Sequence, residues 1–328
     1  MVGTDDSKAA GTAARAEETG SGVELPVDPQ VRQAFWFLER MAPAIGARWA
    51  SELWCTAPVV EQSLRMPPGV AAGEPLEAFW DGHRIAGESW GEGPNVYLVH
   101  GWGGRRPHLG MFVKPLVDSG HRVIAFDLPS HNESEPGEHA PGRTTIVECA
   151  TATAAIVREH GPARAIVAHS LGAKAAVLAA AQGMAVERFV FLAPMGDFAL
   201  YLDLFARRHG YGPRIHERLH RRLDRWLRMP LFDTDIPRAA ARTGYPPLLL
   251  VHDPDDPDTP FSASEQIAAS WPGAQLLATK GLGKLAHYRI LRHRPAIVAG
   301  VDFIGPAAGA GSAVSSADAR GSATTRLR

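Results

Sequence analysis

Short apolar runs recur along the chain, and each ends at polar or turn-forming residues. They are LEAFW (76–80), NVYLVH (95–100), RVIAFD (122–127), RAIVAH (164–169), RFVFLA (188–193), PLLLVH (247–252) and QLLAT (275–279). Helix-length segments separate most of them, at 106–119, 143–160, 171–182, 262–271 and 286–300. Strands with little apolar–polar alternation that are separated by helices predict a parallel sheet covered on both faces. The chain is therefore predicted to be an α/β protein with a doubly wound, mostly parallel sheet.

The composition is ordinary for a globular protein and excludes several classes. Of 328 residues, 45% are hydrophobic and 21% are charged, and the net charge is −1, so no nucleic-acid partner is expected. No stretch approaches the roughly 18 apolar residues of a membrane span, and the N-terminus has no signal-peptide pattern. The two cysteines, Cys55 and Cys149, match no metal-binding spacing. These features predict a cytoplasmic protein without a transmembrane segment.

One main domain is predicted over residues 28–305. The flanking segments 1–27 and 306–328 contain few apolar residues, which predicts disorder. A helix is predicted near 29–55 and should break or kink at Pro43. Its apolar stripe indicates packing on the main body, with a membrane-surface helix as the alternative.

About 50 residues, 197–246, separate two of the apolar runs. A connection of that length predicts an inserted helical cap. Its first part, DFALYLDLFARRHG, is apolar nearly all round, so we expect a helix buried on more than one side. One of its sides is expected to line an apolar pocket, with core packing alone as the alternative. Its second part, PRIHERLHRRLDRWLRMP, places apolar residues on one face and arginines on the rest. That arginine face is interpreted as solvated, with an acidic ligand or an anionic membrane surface as alternatives.

Functional side chains in such a sheet lie just past the carboxyl ends of the strands. Ser170 follows one apolar run directly and precedes a helical run rich in small residues. This is the context of a G-x-S-x-G nucleophile elbow, with Ala168 in the first glycine position and Gly172 in the second. The alternative is that Ser170 only caps the helix. The glycine-rich turn at 101–104 exposes backbone N–H groups.

An oxyanion hole needs two such N–H groups directed at one oxygen. Those of Trp102 and Leu171 are the candidates, and the alternative for the glycine-rich turn is tight packing alone.

A nucleophilic serine needs a base and an orienting carboxylate, in the chain order Ser, acid, His. Four aspartates follow the run at 247–252, namely Asp253, Asp255, Asp256 and Asp258. Asp256 fits the acid best, and Asp197 is the next candidate. His287, on a glycine-rich loop that enters a helix, is the predicted base, with His293 as second choice. The aspartate turn lacks the glycine and glutamate of a calcium loop, so no metal is predicted.

Together, these motifs resemble the α/β-hydrolase-fold serine hydrolases of the bacterial esterase-like kind. The resemblance covers about residues 75–305 and includes HGWGG, AFDLPSHNES, AHSLGAK, VHDPDDPDTP and GLGKLAHYRIL, in that order. It implies Ser170 as nucleophile, His287 as base, Asp256 as acid, and Trp102 and Leu171 as the oxyanion-hole residues.

The sequence departs from that family's pattern in three places. Ala168 replaces a glycine, and Ser130-His131-Asn132 stands where the family usually has G-x-G. Three residues, 284–286, separate Gly283 from His287, where the family often has Gly-His adjacent.

The predicted function is a serine hydrolase that cleaves an ester or related acyl bond through an acyl-enzyme. The substrate is expected to be a small molecule with an apolar acyl group, and no cofactor is expected. The alternatives are an acyltransferase or thioesterase on the same fold, or a non-catalytic binding member of the fold.

Overall fold

The computed structural model of the protein describes residues 27–58 and 64–307. Nearly all of the two terminal segments for which disorder is predicted, 1–27 and 306–328, lies outside the described residues.

Eight strands form one sheet. Their bounds are β1 (Glu74–Trp80), β2 (His83–Trp90), β3 (Asn95–Val99), β4 (Arg122–Phe126), β5 (Ala163–His169), β6 (Phe189–Leu192), β7 (Leu248–His252) and β8 (Gln275–Ala278). The strand order is β1-β2-β4-β3-β5-β6-β7-β8. β2 pairs antiparallel with both β1 and β4, and every other pairing is parallel. The predicted doubly wound, mostly parallel sheet is confirmed.

β2 is absent from the sequence prediction, because Gly87 and Glu88 interrupt its apolar residues. It joins β1 through a two-residue turn at Asp81-Gly82, where both residues have positive φ angles of 49° and 84°. An Asp-Gly pair between two strands is a strong hairpin signal, because a tight turn there needs positive φ. The signal was therefore present in the sequence.

Helices cover both faces of the sheet. Their bounds are α1 (Pro29–Met41), α2 (Pro43–Trp54), α3 (Val113–Asp118), α4 (Ile146–His160), α5 (Leu171–Ala181), α6 (Phe198–His209), α7 (Pro213–Leu227), α8 (Ile236–Ala240), α9 (Phe261–Ser270), α10 (Ala286–Arg289) and α11 (Arg294–Ile304). The predicted break at Pro43 separates α1 from α2. Successive core residues of β3 alternate between the two faces: Tyr97 and Val99 pack with α4 and α5, and Val96 and Leu98 with α3 and α11. No helix within the described ranges is long and apolar enough to cross a membrane.

The segment 197–246 contains α6, α7, a 3₁₀ turn (Leu231–Thr234) and α8. The expectation that α6 is buried on several sides is wrong. Phe198 and Leu202 are buried, but Leu200 and Leu204 are exposed, because only one face of α6 packs on the body.

A buried ion pair joins the segment 197–246 to the helix that begins after Ser170. The Lys174 side chain of α5 is completely buried and donates to the Asp235 carboxylate, which precedes α8. Its Nζ also lies 4.2 Å from the ring centroid of Phe198 in α6. Burial lowers the pKa of Lys174, and the Asp235 carboxylate opposes part of that shift.

Both cysteines are free and buried. Burial raises the pKa of each thiol, Cys55 and Cys149, to about 12. Because the thiolate is the reactive form, these residues pack as small apolar side chains.

Candidate active site

Ser170 lies between the end of β5 and the start of α5, in a strained backbone conformation. Its φ is 51° and its ψ is −121°, which costs a non-glycine residue on the order of 1–3 kcal/mol. Its N–H donates to the Leu192 carbonyl at 3.1 Å, and its carbonyl accepts from Met195 N–H at 3.2 Å. The Ser170 side chain makes no capping hydrogen bond to α5, so helix capping does not account for this serine.

The residues that flank Ser170 must be small because the turn lies against β3. A Cβ on residue 172 would lie 2.5 Å from the carbonyl oxygen of His100 and 2.6 Å from that of Val99, so only glycine fits there. Ala168, the departure from the glycine pattern, is fully buried inside β5 opposite Val99 and Phe191. Its methyl group packs in the core on the face of the sheet covered by α4 and α5.

Asp256 and His287 are in direct contact. His287 Nδ1 lies 2.9 Å from Asp256 Oδ2, and the Asp256 side chain is completely buried. Oδ1 of the same carboxylate accepts the backbone N–H groups of Asp258 and Thr259 at 2.8 and 2.9 Å. The Thr259 hydroxyl donates to Oδ2 at 3.1 Å. Both oxygens are thus held in one orientation.

A second histidine, His252, approaches the same carboxylate. The ring is fully buried at the end of β7, with Nε2 3.4 Å from Asp256 Oδ2 and 3.1 Å from the Thr259 carbonyl. Its Nδ1 lies 2.7 Å from the Ser264 hydroxyl. Burial raises the pKa of Asp256, but the hydrogen bonds from His252 and His287 outweigh it, so the pKa lies well below its ordinary value. Sequence reasoning treated His252 only as the end of a strand.

The three extra residues before His287 do not keep it from the aspartate. They fall in a 3₁₀ turn (Gly283–Leu285) and at the start of α10, which carries His287. His169, the neighbour of Ser170, donates through Nε2 to the His287 carbonyl at 2.9 Å, and the two rings are 4.5 Å apart. His287 is thereby held against the strand end that carries Ser170. His293 precedes α11, and no described contact joins it to Asp256.

The glycine-rich turn after β3 lies against the serine. A Cβ on residue 101 would lie 2.9 Å from the Cβ of Ser170. Gly103 N–H donates to Nε2 of His131 at 3.0 Å. Among the described hydrogen bonds, none uses the N–H of Trp102 or of Leu171.

His131 supports this turn from the middle of the segment that replaces the family's G-x-G. Its Nδ1 lies 2.9 Å from the Pro129 carbonyl and donates to it, because Nε2 accepts from Gly103. The ring also packs edge-on against Trp102, with centroids 5.4 Å apart. Burial lowers the pKa of His131, which favours the neutral ring that this pair of hydrogen bonds requires.

The residues on either side of His131 adopt glycine-like backbone angles without being glycine. Ser130 has a φ of 61° and Asn132 a φ of 43°. The Ser130 hydroxyl donates to the Arg143 carbonyl at 2.6 Å, and the Asn132 amide donates to Asp127 at 2.8 Å. These hydrogen bonds hold the two residues in the left-handed region that glycine adopts more easily.

The other candidate acids Asp253, Asp255 and Asp197 either make hydrogen bonds elsewhere or are exposed. Asp253 is buried and accepts from the Thr279 hydroxyl at 2.9 Å, and Asp255 is exposed. Asp197 caps α6 by accepting from Ala199 N–H at 2.8 Å.

One cluster of possible metal ligands lies at the site. Ligand atoms of Asp256, Asp258 and His287 lie within 4.8 Å of one another. Because both Asp256 oxygens already accept hydrogen bonds from protein donors, the arrangement favours a hydrogen-bonded acid over a metal ligand.

Comparison with known proteins gives a family and a fold. Residues 96–301 match the model of a family described as the alpha/beta hydrolase family. A hydrolase from Pseudomonas aeruginosa PA01 is 22% identical, with a TM-score of 0.53 over 72% of this chain and 100% of that chain. A bromoperoxidase from Bacillus anthracis is 16% identical, with a TM-score of 0.53 over 70% of this chain and 99% of that chain.

An enol-lactonase from Burkholderia xenovorans LB400 is 15% identical, with a TM-score of 0.51 over 70% of this chain and 99% of that chain. At these identities the likeness establishes the fold alone. A search of curated proteins finds no significant match.

Proposed function

Because the chain belongs to the alpha/beta hydrolase family, we propose that it is a serine hydrolase that cleaves an ester or related acyl bond of a small molecule. The observation that carries this proposal is the buried 2.9 Å contact between His287 Nδ1 and Asp256 Oδ2. The His287 carbonyl accepts a hydrogen bond from His169, the residue that precedes the strained turn at Ser170. Strain of this kind persists where the surrounding structure imposes it, and it is concentrated at functional sites.

In the proposed reaction, Ser170 Oγ attacks the carbonyl carbon of the substrate while His287 Nε2 takes the hydroxyl proton. Asp256 accepts the Nδ1 hydrogen of His287 and so keeps Nε2 free to act as the base. The negative oxygen of the tetrahedral intermediate is bound by the N–H groups of Trp102 and Leu171, at the positive end of α5.

The intermediate then collapses to an acyl-enzyme. His287 gives its proton to the departing alkoxide, and the alcohol leaves. Water next attacks the Ser170 ester while His287 takes a proton from it, and return of that proton to Ser170 Oγ releases the carboxylic acid. The cycle needs no cofactor or metal.

We assign an apolar acyl group to the substrate, because two aromatic side chains lie beside the site. The ring of Tyr288 lies 5.2 Å from that of His287, and Trp102 is half-buried beside the glycine-rich turn. From the segment 197–246, the Tyr201 hydroxyl donates to the Asp258 carbonyl at 3.4 Å, so α6 contacts the loop of the proposed acid, which supports the predicted cap. Leu204 is exposed and takes no part in this preference.

The proposal is tested with a fluorophosphonate probe and intact-protein mass. The wild type should gain one probe mass and hydrolyse p-nitrophenyl butyrate, and Ser170→Ala should do neither. Ser270→Ala is the matched control, because that hydroxyl only donates to a carbonyl at the end of α9. Labelling of Ser170→Ala, or a wild type that neither labels nor hydrolyses esters, would contradict the proposal.

A further inference from the structure

The outer face of the first two helices is apolar and exposed. Trp36, Phe37, Met41 and Ile45 are 53%, 55%, 68% and 61% exposed. Trp36, Phe37 and Met41 lie on α1, and Ile45 lies in the first turn of α2, just after the break at Pro43. The opposite side of α1 is buried through Phe35. Large exposed apolar side chains grouped in this way mark an interaction site.

The outer face of α7 is strongly basic. The helix carries Arg214, Arg218, Arg221, Arg222 and Arg225 with two acidic residues, Glu217 and Asp224. Arg222 is half-buried, and its Nε donates to the Ser51 hydroxyl at 2.8 Å. The apolar residues of the helix, which recur every four positions from Ile215 to Leu227, are buried against the body. The helix therefore presents a net positive face on a chain whose overall net charge is −1.

Helix α7 packs directly on α1 and α2. The Glu39 carboxylate of α1 accepts the backbone N–H groups of Arg214 and Ile215 at 2.9 and 3.0 Å. The Arg214 guanidinium donates to the carbonyls of Glu39 and Arg40 at 3.1 and 3.0 Å. A Cβ on residue 46 would lie 2.4 Å from Cδ1 of Ile215, so Gly46 lets α2 and α7 pack closely.

A cleft of about 650 Å³ lies between α2 and α7. It is lined by Ala44 and Ala47 on one side and mainly by arginines of α7 on the other, namely Arg218, Arg221, Arg222 and Arg225. We call the apolar residues Trp36, Phe37, Met41 and Ile45, together with these four arginines, the docking surface.

We propose that the docking surface binds the headgroup region of a bilayer that contains anionic phospholipids. Apolar side chains beside a basic helix are the pattern of proteins that lie in the membrane interface, where the apolar groups insert and the arginines pair with lipid phosphates. A soluble polyanion would satisfy the arginines but leave the four apolar side chains in water. A symmetric pair of copies would bring two net-positive surfaces together, and like-charge repulsion opposes that association.

The test is cosedimentation of the full chain with vesicles. Binding to phosphatidylglycerol-containing vesicles at low salt is expected, with little binding to pure phosphatidylcholine and a loss of binding at high salt. Each arginine near an anionic surface contributes about fivefold in affinity, so Arg221→Glu/Arg225→Glu should weaken binding by about 25-fold or more. Met41→Asp/Ile45→Asp should weaken it by about tenfold or more, because it removes the inserting groups.

Matched controls lie on the opposite face of the sheet. Val298→Asp changes an exposed apolar residue of α11, and Arg292→Glu/Arg294→Glu reverses two exposed charges beside it. Both should bind vesicles as the wild type does. Ser170→Ala should also bind normally, which separates this proposal from the proposed acyl chemistry.

Three results would overturn the proposal. The first is no binding to anionic vesicles at low salt, and the second is equal weakening by the control and docking-surface variants. The third is a dimer, seen by sedimentation equilibrium without lipid, that Met41→Asp dissociates, since the surface would then belong to a second copy of the chain.

Discussion

Replacing Asp256 with asparagine should change which nitrogen of His287 carries the hydrogen. Oδ1 of Asp256 accepts the backbone N–H groups of Asp258 and Thr259 at 2.8 and 2.9 Å. An asparagine NH₂ group at the Oδ1 position would face two N–H donors, so the amide oxygen of the asparagine must occupy that position. The NH₂ then occupies the Oδ2 position, 2.9 Å from Nδ1 of His287.

Facing that NH₂ group, Nδ1 of His287 has to accept a hydrogen bond, and the ring hydrogen moves to Nε2. In the proposed reaction Nε2 takes the Ser170 proton, so the variant would lose its base although the side chain keeps its size and position. Asparagine in place of a triad aspartate lowers kcat by about 10⁴, which corresponds to about 5 kcal/mol.

The assay is steady-state hydrolysis of p-nitrophenyl butyrate, with circular dichroism to verify folding. Asp256→Asn should lose kcat with little change in KM, because the aspartate does not touch substrate. Asp255→Asn, an exposed residue of the same turn, should behave as the wild type. A folded Asp256→Asn variant with kcat close to that of the wild type would refute the hydrogen-position argument.

Three further predictions concern packing and reactivity. Gly172→Ala places a methyl group 2.5 Å from a backbone oxygen and should lower the free energy of unfolding by about 1–3 kcal/mol in urea titrations; an unchanged value would show that the turn relaxes. Lys174→Met leaves the Asp235 carboxylate without its cation and should cost about 3–5 kcal/mol in the same assay, whereas Lys174→Met/Asp235→Asn should recover part of the loss. An equal loss in both variants would mean that packing, rather than charge, dominates. The two cysteines, with pKa values of about 12, should resist Ellman's reagent in the native protein and both react after unfolding; rapid native reaction would contradict their burial.

The parallel strands were predictable from the sequence, because β3, β5, β6 and β7 are buried on both faces and therefore need apolar residues at nearly every position. The turn at Ser170 was equally local, since a strand, a serine and a helix of small residues are consecutive in the chain. β2 was not predicted because its polar residues interrupt the apolar pattern, and such residues are tolerated in a strand near the edge of the sheet.

Only the tertiary structure decided which neighbours the polar side chains contact. It selected Asp256 among four nearby aspartates as the partner of His287, brought His252 to the same carboxylate, and set His131 under the glycine-rich turn. The roles of Ser170, Asp256 and His287 in catalysis stay predictions. Burial restricts each position of a strand to certain residue types, and a pattern of apolar residues is visible directly in the sequence. A hydrogen bond between residues 28 or 31 positions apart depends on where separate loops meet, and that is determined only when the whole sheet has formed.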